Sequence, residues 1–346
     1  MSALTVGSGS SSAGGRRGAD ERFLVTGALG CIGAWTIRIL LHDQAQVVGF
    51  DVAAEPRRLR QLLSADELAA VPMIVGDIAE LNSVERAMDE HGITHVIHLA
   101  ALQVPFCRAD PPQGARVNVL GTVNVFEASR RRRDLIRGLV YTSSIGMFDA
   151  GDVDPATGRL GVDANAHPTT HYGVYKQANE GNARAYWLDH GLSTIGIRPM
   201  TVFGPGRDQG LTSDPTKAIL AAVLGRRYRI GFGGRTLFQY AADVAQTVVQ
   251  AARSGLGGAR VFNLAGSLAS MRELVEAIEG AVSTASGLIS FEEEPLPFPE
   301  AIATTGLEQL GPIRLTPLND AVRETAEMFK ELVGSGRLQP AEYGLA

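Results

Sequence analysis

The chain has 346 residues, of which 45% are hydrophobic and 20% charged, and a net charge of −5. That balance suits a folded protein with a sizeable core and gives no attraction for a polyanion, so nucleic acid is not an expected partner. The two cysteines, Cys31 and Cys107, lack a CxxC context, which excludes a disulfide framework or zinc site and fits a reducing cytoplasm.

In chain order, residues 1–20 are rich in Ser and Gly and read as a disordered tail rather than a signal peptide. No apolar run reaches membrane-spanning length. Residues 22–33 then read R-F-L-V-T-G-A-L-G-C-I-G: a short apolar strand, glycines at 27, 30 and 33, and a helix over 34–41. A parallel strand ending at such a turn leaves unpaired N–H groups at the start of the helix, with the positive end of its dipole, and that is a place for a pyrophosphate. Gly27 permits the turn, Gly30 lets a ligand approach the backbone, and Gly33 lets the helix sit on the strand. Strands follow at 47–51, 73–77, 95–101, 138–144 and 193–198, separated by helical segments at 55–70, 81–91, 114–133 and 172–190. Short apolar runs alternating with amphipathic helices predict a parallel sheet covered on both faces, a doubly wound α/β architecture. The rhythm weakens after Pro199. Residues 199–235 and 267–335 read as a smaller, discontinuous substrate-binding domain, and R-V-F-N-L-A at 260–265 as a strand returning to the first domain, which then comprises 21–198 and about 236–266.

Asp51 ends the second strand, where a carboxylate can accept hydrogen bonds from the adenine ribose and repel a 2′-phosphate. Residues 52–54 offer no cation, so NAD is expected over NADP, with Arg57 and Arg58 the nearest charges that could offset the repulsion. Asp77 stands in a similar place after the third strand and is a candidate adenine contact. Tyr172 and Lys176, four apart, share one helix face. Bringing a phenol from about 10 to near 7 takes roughly 4 kcal/mol of preferential phenolate stabilisation. A neighbouring ammonium and an oxidised nicotinamide have the right sign to supply it. Tyr172 is then the general base for an alcohol proton. Thr142, Ser143 and Ser144 end the fifth strand at the carboxyl edge of the sheet, where hydroxyls can orient a substrate oxygen. His91, His95 and His98 share no usable face, and no metal is expected. Arg130 to Arg133 read as a solvated helix terminus.

With T-G-A-L-G-C-I-G at 26–33, H-L-A-A at 98–101, N-V-L-G-T at 118–122, T-S-S at 142–144, Y-G-V-Y-K at 172–176 and R-P-M-T-V-F-G-P-G-R at 198–207, the chain resembles an extended short-chain dehydrogenase/reductase of the NAD-dependent epimerase/dehydratase group. The resemblance covers about 22–329. It implies a Rossmann domain that binds NAD, with Ser144 as the hydroxyl beside Tyr172 and Lys176, and with Asn118 supporting the lysine. It also implies that Leu99, Ala100 and Ala101 line the cofactor, that Pro199 and Val202 pack near the nicotinamide, and that the chain forms a homodimer through the helices carrying Asn118 and Tyr172. Leu29, Cys31, Ile32 and Ile78 complete the expected cofactor-binding set. Two departures bear on the substrate. Sugar-nucleotide dehydratases of the group carry Asp-Glu after the catalytic hydroxyl, where this chain has Ile145 and Gly146. Many sugar-nucleotide epimerases carry an Arg-Asp-Phe segment whose Arg holds the diphosphate, where this chain has Thr236, Leu237 and Phe238. Gln103, Arg108, Arg207 and Arg235 are the candidates for holding a small anionic or polyhydroxy substrate. The expected activity is an NAD-dependent oxidation of a secondary hydroxyl on a small carbohydrate or sugar acid. The alternatives are an NAD-retaining sugar or sugar-nucleotide epimerase and a catalytically silent NAD-binding sensor.

Overall fold

Along β1 (Arg22–Thr26), Phe23 and Val25 enter one apolar cluster and Leu24 enters another, all three fully buried. A strand buried on both faces belongs inside a sheet covered by helices on each side. The computed structural model describes residues 20–345, so the expected tail lies outside the described residues but for Asp20.

The first half adds β2 (Gln46–Asp51), β3 (Met73–Val75), β4 (His95–His98), β5 (Gly138–Thr142) and β6 (Thr194–Arg198). The second half adds β7 (Thr201–Phe203), β8 (Tyr228–Ile230), β9 (Arg235–Tyr240), β10 (Ala259–Asn263), β11 (Ser267–Ser270) and β12 (Ile289–Phe291). Seven strands form one sheet in the order β10-β6-β5-β4-β1-β2-β3, and every pair in it is parallel. The helices Cys31–His42 and Ala241–Arg253 cover one face, while Leu81–His91, Gly121–Arg131 and His171–His190 cover the other. Strand order reverses between β1 and β4, so their carboxyl ends open a crevice, the usual ligand site of such sheets.

β9 pairs with β7 and β11 in a separate three-stranded sheet. The sequence places residues 236–240 with the nucleotide-binding unit, but the backbone puts them in this second layer. A second apolar core surrounds that layer, built from the helices Asp214–Val223, Met271–Ala281 and Leu318–Gly334 and from the C-terminal side chains of Leu338, Tyr343 and Leu345. The helix expected over 55–70 is two helices, Arg57–Leu62 and Ala65–Ala69. Ser64 breaks it by starting a new one: its hydroxyl accepts the Glu67 N–H and the Glu67 carboxylate accepts the Ser64 N–H. The segment expected as one helix over 114–133 contains a π-helical turn, Arg116–Leu120, ahead of Gly121–Arg131.

Candidate active site

The glycine loop is built by exclusion of side chains. Gly27 takes φ +68°, and a β-carbon there would stand 2.6 Å from the Ala100 nitrogen; one at Gly33 would stand 2.3 Å from the Gly27 carbonyl oxygen. Gly30 precedes the helix Cys31–His42 without a side-chain cap, so the first N–H groups of that helix are left to the crevice. Asp51 braces the same loop: one carboxylate oxygen accepts the Leu29 N–H at 3.0 Å and the other accepts Ala53 N–H at 3.1 Å. These residues line a cavity of about 570 Å3 that runs along the carboxyl edge of the sheet. A β-carbon-free cradle, an uncapped helix start and a strand-end carboxylate fit the pyrophosphate and ribose of a dinucleotide.

The structure brings most of the expected residues to that cavity. Gly27, Leu29, Gly30, Cys31, Ile32, Gly33, Asp51, Asp77, Ile78, Leu99, Ala100, Ala101, Pro199 and Val202 line it, as do Ser144, Tyr172, Lys176, Gln103 and Arg207. Asp77 is also paired with Arg116 at 2.8 Å. Cys31 stands in the wall of the cavity, and burial pushes its thiol up to about 11. Three expected residues do not line the cavity. Arg108 and Arg235 lie outside it. Asn118 is buried and holds the backbone of Leu102, accepting its N–H at 2.7 Å and donating to its carbonyl at 2.9 Å, instead of reaching Lys176. Its own carbonyl accepts from Asn179 and from Thr122 beside the π-helical turn.

Tyr172 and Lys176 sit on the first turns of the helix His171–His190, capped by Thr170. Lys176 is 3% exposed, and its Nζ donates to the Thr142 carbonyl at 2.6 Å while lying 5.6 Å from the Tyr172 ring centroid. Burial pushes its pKa down to about 8, with Cys107 and Glu180 opposing. Burial is also the largest influence on Tyr172 and raises its pKa; a hydrogen bond with Ser144 and the charge of Arg207 pull it back. Ser144 and Arg207 are thus protein groups that favour the phenolate, beside the ammonium of Lys176 and the oxidised nicotinamide expected from the sequence. Arg207 is a neighbour that the R-P-M-T-V-F-G-P-G-R segment carries into the cleft: Nη2 donates to Thr212 at 3.2 Å, and its buried Nε has no partner. Gln103 Oε1, also buried in the cleft wall, is likewise unpartnered. Met200, Thr201, Gln209, Thr212 and Phe298 complete the outer part of the cavity. Phe298 lies in P-L-P-F-P-E, which carries no periodic signal that could have placed it.

The position of Lys176 has a measurable consequence for stability. Its folded pKa, about 8, lies below its ordinary 10.5. Between those values the unfolded chain binds more protons, so stability rises with pH through that window and the penalty is complete below pH 8. A shift of that size is worth roughly 3 kcal/mol, offset by about 1 kcal/mol for the bond to Thr142. Lys176→Met is expected to be more stable than the native chain at neutral pH by about 1–2 kcal/mol in urea unfolding, with the advantage falling through the window from about pH 8 to 10.5 and reversing above it, where only the bond to Thr142 counts. A variant less stable than the native chain at neutral pH would contradict this account of the lysine.

His98 is a structural neutral ring. Its nitrogens bond Thr26 at 2.7 Å and Thr122 at 3.0 Å, and burial lowers its pKa to about 3. Among the described residues no group of His, Cys, Asp or Glu could hold a metal ion, and no helix is long and apolar enough to cross a membrane.

A sequence profile described as the NAD dependent epimerase/dehydratase family matches residues 23–265. The UDP-glucose 4-epimerase of Mycolicibacterium smegmatis is 34% identical over 270 residues, which cover 75% of this chain and 82% of that protein. The UDP-glucose 4-epimerase of Thermus thermophilus, solved in complex with NAD, superposes with a TM-score of 0.74 at 25% identity, covering 89% of this chain and 99% of that one. A partial consensus L-threonine 3-dehydrogenase shares the fold with a TM-score of 0.77 at 22% identity, covering 90% of this chain and 99% of the other.

Proposed function

The chain belongs to the NAD-dependent epimerase/dehydratase family and is an NAD-dependent enzyme of the extended short-chain dehydrogenase/reductase type, and from that premise we propose that it oxidises a secondary hydroxyl of a small carbohydrate or sugar acid. Held along the glycine loop by Gly27, Gly30, Gly33 and Asp51, oxidised NAD would supply the hydride acceptor and a positive charge that favours the phenolate. Tyr172 Oη takes the hydroxyl proton, and the Ser144 hydroxyl holds the substrate oxygen beside it. Lys176, anchored on Thr142, keeps a cation on the Tyr172 face of its helix. Arg207 favours the phenolate and offers its free Nε to the substrate.

The observation that carries the substrate class is the distribution of charge in the cleft. Of the three arginines that line it, Arg57 and Arg58 are paired to Asp208, and only Arg207 has no carboxylate partner. One free guanidinium can pair with one anionic group, which the carboxylate of a sugar acid supplies, whereas a diphosphate presents two. The strand where related epimerases place a diphosphate-binding Arg is closed: Thr236 is fully buried, with its hydroxyl 2.8 Å from that of Thr201, and Leu237 packs in an apolar cluster. Calorimetric titration of the NAD-loaded protein with UDP tests this reading, which expects no binding. Micromolar UDP affinity would instead favour the second reading, an NAD-retaining sugar-nucleotide epimerase, which the likeness to a UDP-glucose 4-epimerase supports.

A homodimer is part of the same proposal. Val174, Gly181, Ala185 and Leu188 form an exposed stripe of small and apolar side chains along the helix His171–His190, with Leu188 69% exposed. Sedimentation is expected to show a dimer that Leu188→Glu converts to a monomer; a monomeric native chain would end this part of the proposal.

A further inference from the structure

Asp208 is 151 and 150 residues away from Arg57 and Arg58, the two arginines it holds, and its side chain is only 1% exposed. Arg58 grips it with Nε at 3.1 Å and Nη2 at 2.6 Å, and Arg57 Nη2 takes the other carboxylate oxygen. The third arm of Arg58, Nη1, donates to the Leu29 carbonyl at 2.8 Å. The N–H of that same Leu29 is the one held by Asp51 at 3.0 Å. The Arg58 guanidinium and the Asp51 carboxylate are thus bonded to the two sides of one residue in the glycine loop. Both arginines and Asp51 line the same cavity. The remaining acid of this segment, Glu55, is paired with Arg60.

We propose that Asp208 is a cofactor-specificity residue: by occupying Arg57 and Arg58 it keeps both cations from an adenosine 2′-phosphate, so that the preference for NAD rests on Asp208 together with Asp51. Guanidinium groups bind phosphate oxygens well, in the same bidentate manner as they bind a carboxylate. A pair of them beside the adenosine ribose would ordinarily offset one strand-end carboxylate. Here Asp208 takes Nε and Nη2 of Arg58 and Nη2 of Arg57, while Arg57 Nη1 donates to the Glu342 carbonyl, and releasing the arginines to a phosphate would leave Asp208 buried and unpaired, a costly outcome. The loop that carries Asp208 is itself fixed. The Trp35 indole donates to the Pro205 carbonyl at 3.0 Å, and the Gly206 N–H donates to the Tyr343 hydroxyl at 2.7 Å, which in turn donates to Gln61. Asp208 therefore cannot follow the arginines if they move. This inference rests on the assignment of Asp51 to the ribose, and the two can fail separately.

The test is direct binding of NAD and NADP to the full chain, followed by tryptophan fluorescence, in the native protein, Asp51→Asn and Asp51→Asn/Asp208→Asn. Asp51→Asn alone is expected to weaken NAD; unchanged NAD affinity would remove the ribose assignment without touching Asp208. The double variant is expected to bind NADP about tenfold tighter or more than Asp51→Asn does, the worth of one charge-assisted hydrogen bond. Equal NADP affinity in the two folded variants would overturn the proposal. A second measurement adds Arg57→Gln and Arg58→Gln to the double variant: the NADP affinity gained on removing Asp208 is expected to be lost again, and a gain that persists without the arginines would equally overturn the proposal.

Discussion

Tyr172→Phe is expected to lower turnover by about 10²–10⁴-fold, the range for removal of a positioned acid–base group, while NAD affinity stays within about threefold. The substitution removes one oxygen from a side chain whose ring remains in place on the first turn of a capped helix. What is lost is the only phenol among the side chains that line the cleft. Steady-state turnover and NAD titration of the same preparation check both halves. Native-like turnover would take the proton-transfer role away from Tyr172, and loss of NAD binding would show that the change acted on the cofactor site.

Arg198→Leu is expected to destabilise the chain by about 3–5 kcal/mol, because it strips one partner from a buried ion pair. Arg198 donates through Nε and Nη2 to the two oxygens of Glu180 at 2.7 and 2.6 Å, and through Nη1 to Asn263 and the Val162 carbonyl. Glu180 also accepts from Ser143 at 2.5 Å. The cluster ties the helix of Tyr172 and Lys176 to the ends of β5, β6 and β10 beside the cleft. Removing the guanidinium leaves Glu180 with a single donor, whereas Arg198→Leu/Glu180→Leu is expected to regain much of the loss. Denaturant unfolding of the two variants decides it: an Arg198→Leu chain as stable as the native one would mean that the helix is held by packing alone.

Local patterns made the nucleotide end of the site readable. The strand, three glycines and helix are contiguous, Asp51 follows on the next strand, and Tyr172 and Lys176 share a helix face by spacing alone. The boundaries that went astray have local causes visible only in atomic detail. Ser64 and Glu67 cap each other and split a helix that periodicity alone would run through, and a π-helical turn hides inside the segment that carries Asn118. The outer site was poorly readable because its contacts span long separations. Asp208 meets Arg57 and Arg58 across separations of 151 and 150 residues, Tyr343 meets Gly206 across 137, and Phe298 arrives on a proline-rich loop. No period or motif joins such pairs, so nothing in the sequence around Arg57 and Arg58 shows that Asp208 holds them. Arg235 looked available to a substrate because sequence order places it near the cleft, but it lies at the exposed start of β9, outside the cavity.

The central claim, net oxidation of a small sugar acid or carbohydrate at the Tyr172 site, is tested most directly by following NADH while the purified protein is supplied with NAD and, in parallel, a panel of sugar acids and polyols or UDP-hexoses. The account predicts NADH accumulating with a member of the first panel and none with the nucleotide sugars; interconversion of a UDP-hexose without accumulation of NADH would contradict it.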